Sequence, residues 1–498
     1  MVPMLEQNAI VKTPRRSRRR ASASLSKTPG NRKDKLGNTL ALMAGTVLCT
    51  LAVATPWLFG TTEEWSVRLM NWGSFAFGLC SFAAYWTRRT TVEKRDETLV
   101  RKSLATAFFA SNLLVLTYCL TALLNARASF SSLDQTFIYN ERVISWLPTT
   151  YDSKRTGQFL VNSAALFCVF WGTRHWLRMG HQSSEGGILH QRFKVFLWVL
   201  SINGFLLALQ GTFQRLSNSS LLLWFRRSWW GVPEGCFGPY SYRGNAADYL
   251  NLIFPVTFGF WYLLVQQRKS ALRRIGNGPE TILLPMFLAI AAASFVTLSR
   301  GGALVAGMIL FLLIPAVLTG RSSRIEKAGF IFLLVVLIVS VASLSGTDLT
   351  ARFKAAFSDN LSGRSEIYKN AEHIAADFPL FGTGPGTFPS IYHLYRQSPT
   401  ESRAAFLHDD WLETKVTFGW LGMSLVLLQL VLLIAWAFAN RKTWASPVFT
   451  FSLFVSLAGC LIHAKADFPF QTYSIFFTFV LISATLTVEH PKPNGPLP

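Results

Sequence analysis

Charge is what this chain of 498 residues has least of: 15% of it is Asp, Glu, Lys or Arg, against roughly 25% in soluble proteins. With half of the residues apolar, that shortage excludes a soluble enzyme. Cysteine is sparse too, at positions 49, 80, 119, 168, 236 and 460, and all but Cys236 fall inside apolar stretches. This spacing builds neither a disulfide framework nor a zinc site, so the cysteines read as small core residues. There is no HExxH, no GxGxxG following a strand, and no internal repeat of the kind many transporters carry.

Long apolar runs are present instead. They fall near 38–60, 69–86, 103–124, 157–177, 194–211, 246–266, 281–298, 302–319, 328–345, 416–439, 447–463 and 470–487. Each is long enough to cross a hydrocarbon core of about 30 Å as a helix. The fold class expected is therefore all-α: a polytopic membrane protein of about twelve transmembrane helices.

The formal charge of +22 resembles a nucleic-acid binder's, but its placement points elsewhere. Residues 1–37 hold Arg15, Arg16, Arg18, Arg19 and Arg20 among Ser, Pro and Gly, which reads as a disordered basic tail beside anionic lipid, with no nucleic-acid partner. The short loops expected on the same side are basic as well: Arg88 to Lys102, Arg178 to Lys194, Arg268 to Arg274, Arg321 to Lys327, and Arg441 with Lys442. The positive-inside rule then puts both termini in the cytoplasm. Three outer segments remain, 125–156, 212–245 and 346–415. The last is mixed in charge and is expected to hold helices from about Arg364 to Ala376 and from Phe388 to Tyr395, so chemistry is expected there.

Five groups of polar residues face that side. Ser299-Arg300-Gly301-Gly302 interrupts an apolar stretch from Ile282 to Leu318, where Arg300 can either snorkel to lipid phosphate or meet an anionic substrate. Arg364 sits at a helix start, and Gly382-Thr383-Gly384-Pro385-Gly386 follows one helix later, either a plain tight turn or a loop whose N–H groups hold an anion. His408-Asp409-Asp410-Trp411-Leu412-Glu413 precedes the helix expected from Val416; the acids suit a helix N-terminus better than a metal, and the histidine suits a general base. Arg243 and Asn245 open the helix at 246, and His463 to Pro469 forms a short polar hairpin. Arg226, Arg227 and Arg243 run against the positive-inside trend, which favours an anionic ligand outside.

Together these groups resemble the O-antigen ligase and O-antigen polymerase family of bacterial membrane glycan transferases. Ser299 to Gly302 looks like the family's SRG element, Gly363-Arg364 like its GR, Phe378 to Phe388 like its P-x-x-G-x-G-x-G-x-F, and His408 to Gly422 like its H-[ND]-x-x-L-E…G-x-x-G. The likeness runs over about 235–487, and earlier residues share only hydropathy. It divides the chain into a basic tail (1–37), five helices with outer loops (38–234), the ligase-like region with its loop 346–415 (235–487), and a C-terminal tail (488–498).

The resemblance implies a GT-C-like fold in the bacterial inner membrane with its site facing the periplasm. It implies transfer of a glycan from a polyprenyl diphosphate donor to a hydroxyl of another glycan or of a lipid A core, with inversion and without cofactor or metal. It makes His408, Arg300 and Arg364 catalytic, and Arg243, Asn245, Gly384, Gly386, Asp409 and Glu413 substrate-binding. Asp409 stands where the family often has asparagine, which leaves open whether it orients the His408 ring. Ligase and polymerase differ only in acceptor, and the hairpin at 463–469 leans toward polymerase by analogy. The rival class is a transporter or flippase for a lipid-linked anion, which should carry ionisable groups near the bilayer midplane.

Overall fold

The computed structural model describes residues 32–88, 98–179, 191–228, 231–270, 278, 280–318, 324–358, 362–396 and 405–490. Residues 1–31 of the basic tail, Arg273, Arg274, Arg321 and residues 491–498 lie outside them, while 32–37, expected in that tail, already belong to the first helix. The chain is mostly helical. Among the described residues six helices are long and apolar enough to cross a membrane: α1 (Arg32–Trp57), α3 (Leu99–Leu124), α5 (Gln191–Leu216), α6 (Arg243–Ser270), α8 (Arg300–Leu318) and α12 (Asp410–Ala439). The other apolar runs are also helical: α2 (Glu64–Arg88), α4 (Ser153–Met179), α7 (Glu280–Val296), α9 (Arg324–Ser358), α13 (Pro447–His463) and α14 (Tyr473–Leu486).

Helix α6 is the hub. Of its apolar span 89% is buried inside the protein, against 22% for α12, which therefore lies at the lipid-facing rim. The packing of α6 on α13 is close because small groups meet: a methyl on Gly259 would overlap Ser452, and Ser456 Oγ donates to Leu252 O at 2.7 Å. Phe311, Phe332 and Trp72 stand exposed on the outside of the bundle, where lipid rather than water satisfies them.

One end of the bundle carries a small lobe. Helices α10 (Ser362–Asp377) and α11 (Phe388–Tyr395) form close to where the apolar periodicity puts them, because Ala371, Ile374 and Ala375 of one and Phe388, Ile391 and Tyr392 of the other share a core. Two differences from expectation stand out. Helix α9 runs on past 345 to Ser358, so the outer segment begins as an extension of a membrane-length helix. Helix α12 starts at Asp410 rather than Val416, because Asp409 caps it by accepting from Leu412 N at 3.0 Å. The outer segment 125–156 also carries a hairpin, β1 (Ala128–Ser131) paired with β2 (Thr136–Tyr139), which the all-α reading did not foresee.

The lobe is stapled to the bundle through a break in α12. Gly419 has φ +61, so the helix unwinds there and leaves carbonyl and N–H groups without helical partners. The 379–384 segment supplies them: Thr383 N donates to Val416 O (3.0 Å) and Gly384 N to Thr417 O (2.9 Å), while Trp420 N donates to Pro379 O (2.8 Å) and Leu421 N to Leu380 O (3.1 Å). Backbone meets backbone so closely that a methyl on Gly419 would collide with Leu380 O. Gly419→Ala should therefore destabilise the protein by about 1–3 kcal/mol. Gly307→Ala, where the added methyl meets nothing, should be neutral or slightly stabilising. Equal melting temperatures for the two variants in detergent would contradict the staple.

Candidate active site

The polar groups converge where α6, α8, α10, α12 and α13 meet beneath the lobe. At the centre is Asp467, on the short connection after α13 and almost wholly buried. His408 Nδ1 lies 3.0 Å from its Oδ1, and the Tyr242 hydroxyl donates to its Oδ2 at 3.0 Å. The space is made by Gly244, where a methyl would stand 2.5 Å from Asp467 Oδ2. Burial would raise the Asp467 carboxyl. The hydrogen bond from His408 and the nearby charges of His463, His408 and Arg364 outweigh it and hold the group below its usual range. Burial, then the Asp467 charge, pushes the Tyr242 phenol well up, so Tyr242 serves as a hydroxyl donor.

His408 itself sits at φ +58, an uncommon conformation for a residue with a side chain. What holds it is local: Tyr368 donates to His408 O at 3.0 Å, and the ring packs edge-on against Tyr242 and Phe468. The imidazole is a quarter exposed, so one edge reaches outward while Nδ1 is fixed on the carboxylate. Arg364, in the first turn of α10, donates from Nη1 to Ala466 O at 2.7 Å, one residue from Asp467. Arg300 is the first residue of α8, and the next residue, Gly301, packs so closely on His463 that a methyl there would collide with Nε2. The structure thus gathers His408, Arg364 and the head of the Arg300 helix around one carboxylate.

Several other expected site residues have polar groups engaged within the fold. Asp409 caps α12 and pairs with Lys465, so the ring of His408 is oriented by Asp467 and not by Asp409. Glu413 is buried and accepts from Leu407 N at 3.1 Å, which fixes the backbone just before His408. Gly384 gives its N–H to Thr417 O and so cannot offer it to an anion; Gly386 turns at φ +76 beside Arg155. In this structure the Asp409 and Glu413 carboxylates and the Gly384 N–H hold the local fold that carries His408. Arg243 opens α6 and donates to Glu234 O at 2.7 Å, and Asn245, two residues on, is buried with its Oδ1 lacking a hydrogen-bond partner among the described residues.

Sequence reasoning singled out the hairpin His463 to Pro469 but gave no site role to His463 or Asp467, nor to Tyr242 or Asp248. The available signals were weak: one acid inside the apolar run of α6, and a histidine closing the run of α13. His463 Nδ1 contacts Asp248 Oδ1, and its Nε2 lies 3.9 Å from Asp467 Oδ2. Beside the site an apolar cleft of about 220 Å³ runs between α3, α4, α12 and α14, lined by Phe108, Phe170, Leu433 and Phe479, with Asp410 and Gln471 at its polar end.

Residues 285–427 match the O-antigen ligase family model. Over this stretch the chain is similar to O-antigen ligases. The similarity supports a membrane enzyme of glycosyl transfer. No curated protein matches the chain. The matched region holds Arg300, Arg364 and His408, whereas Tyr242, Asp248, His463 and Asp467 lie beyond it, so the O-antigen ligase motifs are completed by flanking helices.

Because Asp467 is held below its usual range, the stability it contributes is complete above an ordinary aspartate value of about 3.9 and lost as pH falls below that toward its folded value. The melting temperature should therefore drop more steeply below about pH 4 for the wild type than for Asp467→Asn. Parallel curves would show that Asp467 is not the ionised partner of His408.

Proposed function

We propose that the protein transfers a glycan from a polyprenyl diphosphate carrier to a hydroxyl acceptor at the periplasmic face of the bacterial inner membrane, the acceptor being a second glycan or a lipid A core. The observation that carries the reading is the His408–Asp467 pair beside Arg364 and the head of the Arg300 helix. An imidazole with Nδ1 tied to a carboxylate presents Nε2 as a base, and the carboxylate stabilises the imidazolium that forms. Arginine forks suit the diphosphate, whose charge grows as the glycosyl bond breaks. In this reading His408 takes the acceptor's proton while its oxygen attacks the anomeric carbon from the face opposite the leaving diphosphate, in one inverting displacement. The apolar cleft suits a lipid-linked substrate, since its walls match hydrocarbon.

The architecture belonging to this reading is a GT-C-like bundle of twelve crossings, both termini cytoplasmic and the lobe outside. A flippase is the poorer account. The buried Asp248–His463 pair lies near the first turns of α6 and the last residue of α13, toward one interface and not midway along the helices. For orientation, exposed Glu372 on α10 and exposed Arg441 after α12 are suitable positions for single cysteines in a chain whose native cysteines are replaced. An impermeant thiol reagent should label Glu372→Cys and not Arg441→Cys in spheroplasts; the reverse would invert the topology.

Reconstitution with a defined polyprenyl diphosphate glycan and a hydroxyl acceptor tests the chemistry. Expected products are the extended acceptor and free polyprenyl diphosphate. His408→Ala should lower transfer by on the order of 10²- to 10⁴-fold while carrier binding survives. Arg300→Lys and Arg364→Lys should each be poor substitutes, because lysine keeps the charge and loses the planar fork. Movement of the carrier across the bilayer with no new glycosidic bond would replace this reading by the flippase.

A further inference from the structure

The His463–Asp248 pair is not used in that mechanism, yet its chemistry is unusual. Both side chains are at most 2% exposed. The imidazole is enclosed by acceptors: Nδ1 faces Asp248 Oδ1, and Nε2 faces Asp467 Oδ2 at 3.9 Å, with Gly301 pressed against it. A neutral ring would turn one bare nitrogen lone pair toward a carboxylate. A ring protonated at both nitrogens faces a carboxylate at each, and two buried carboxylates so close together need a cation between them. Asp248 Oδ2 has no protein partner among the described residues, so His463 is the counter-charge this acid has.

We propose that His463 is a standing imidazolium held by Asp248, and that this buried pair acts through Asp467 to set the pH at which His408 accepts a proton. The inference rests on the reading of His408 as general base. Asp248, His463, Asp467 and His408 form one alternating row of acid and imidazole, each neighbour in contact or within 3.9 Å. Asp248 and His463 are positioning residues, because neither reaches the substrate. The row also gives Gly301 a role: it lets the Arg300 helix close on the imidazolium, so the position of the arginine and the charge state of the base share one contact.

The row makes a prediction of sign. Removing the His463 cation leaves His408 facing an uncompensated pair of carboxylates, which favours its protonated form. Removing the Asp248 anion leaves an uncompensated cation behind Asp467, which disfavours it. The other charged or titratable groups around the row, Tyr242 just before α6, Arg243 from α6, Arg300 from α8, Arg364 and Tyr368 from α10, Asp410 from α12 and the Asp409–Lys465 pair, are the same in both variants. The acid limb of the transfer rate should therefore move to higher pH in His463→Gln and to lower pH in Asp248→Asn. Each shift should be on the order of one pH unit, the effect of a unit charge a few ångströms away in a protein interior.

The experiment is a set of pH–rate profiles on reconstituted wild type, His463→Gln, Asp248→Asn and the double variant, with the polyprenyl diphosphate glycan as donor. Opposite shifts in the single variants, and a limb near the wild-type position in the double, would support the proposal. A pair that only tethers α6 to α13 would slow every variant and leave the limb in place, which overturns it. A wild type with no acid limb would instead remove His408 as the base, a failure of the functional reading that the same data reveal. If a single variant does not accumulate, ring ¹⁵N spectra of histidine-labelled wild type decide. One imidazole should remain cationic at pH 7, assigned to His463 by its persistence when the other seven histidines are replaced, and the lack of such a signal overturns the proposal.

Discussion

A carboxylate withdrawn from water needs donors in fixed places, and most of the arrangement at the functional end answers that need of Asp467. Its oxygens take His408, Tyr242 and the backbone N–H of Phe468, with His463 at ion-pair distance. Those groups come from the residue before α6, from the residues that lead into α12, and from the end of α13 with the connection after it. Three chain segments far apart in sequence are therefore held by one acid. Loss of any donor would leave a buried charge less satisfied, which is costly in a medium where water cannot replace it. The tolerances are set by glycine: Gly244 admits the Asp467 oxygen and Gly301 admits the His463 ring.

The second constraint is backbone hydrogen bonding near the membrane. Helix α12 breaks at Gly419, and an interruption in an apolar helix is tolerated only where other backbone takes up the freed groups. The Pro379–Gly384 segment does so with four backbone bonds, and the Tyr118 hydroxyl lies 2.6 Å from Phe381 O and 2.9 Å from Phe418 O to close the junction. This explains why a motif that reads like an anion loop is instead a joint. Its Thr383 and Gly384 N–H groups point at carbonyls of α12, and the anchored joint fixes the start of that helix, where Asp409 and Glu413 shape the turn bearing His408.

The helices were legible because apolar runs of membrane length have one stable solution, and the lobe helices because Ala371, Ile374 and Ala375 repeat at helical spacing. His408 and Arg364 could be singled out because a histidine and an arginine among small and acidic residues have little packing to do. Asp467 was hidden for the opposite reason. In His463-Ala464-Lys465-Ala466-Asp467 the lysine, not the aspartate, is exposed, and nothing local says which acid turns inward. The start of α12 was misplaced by six residues because hydropathy marks where a helix enters the apolar layer and not where its first hydrogen bond forms; the cap at Asp409 decides that.

The division between matched and unmatched sequence follows from this geometry. The O-antigen ligase region carries the groups proposed to meet substrate, while the groups that orient them sit on α6 and after α13. Orientation then depends on how α6 and α13 dock, and that interface is packed through small residues: Gly259 against Ser452, and Ser456 bonded to Leu252 O. Close backbone approach leaves little freedom to slide, so the distance from Asp248 on one helix to His463 on the other is set by the whole length of the contact. Arg300 is tied to the same frame, since Gly301 rests on His463 and Asn251 of α6 donates to Gly302 O at 3.0 Å. The hub helix thereby holds the base and the arginine helix in one register, the kind of fixed geometry that a single in-line displacement requires.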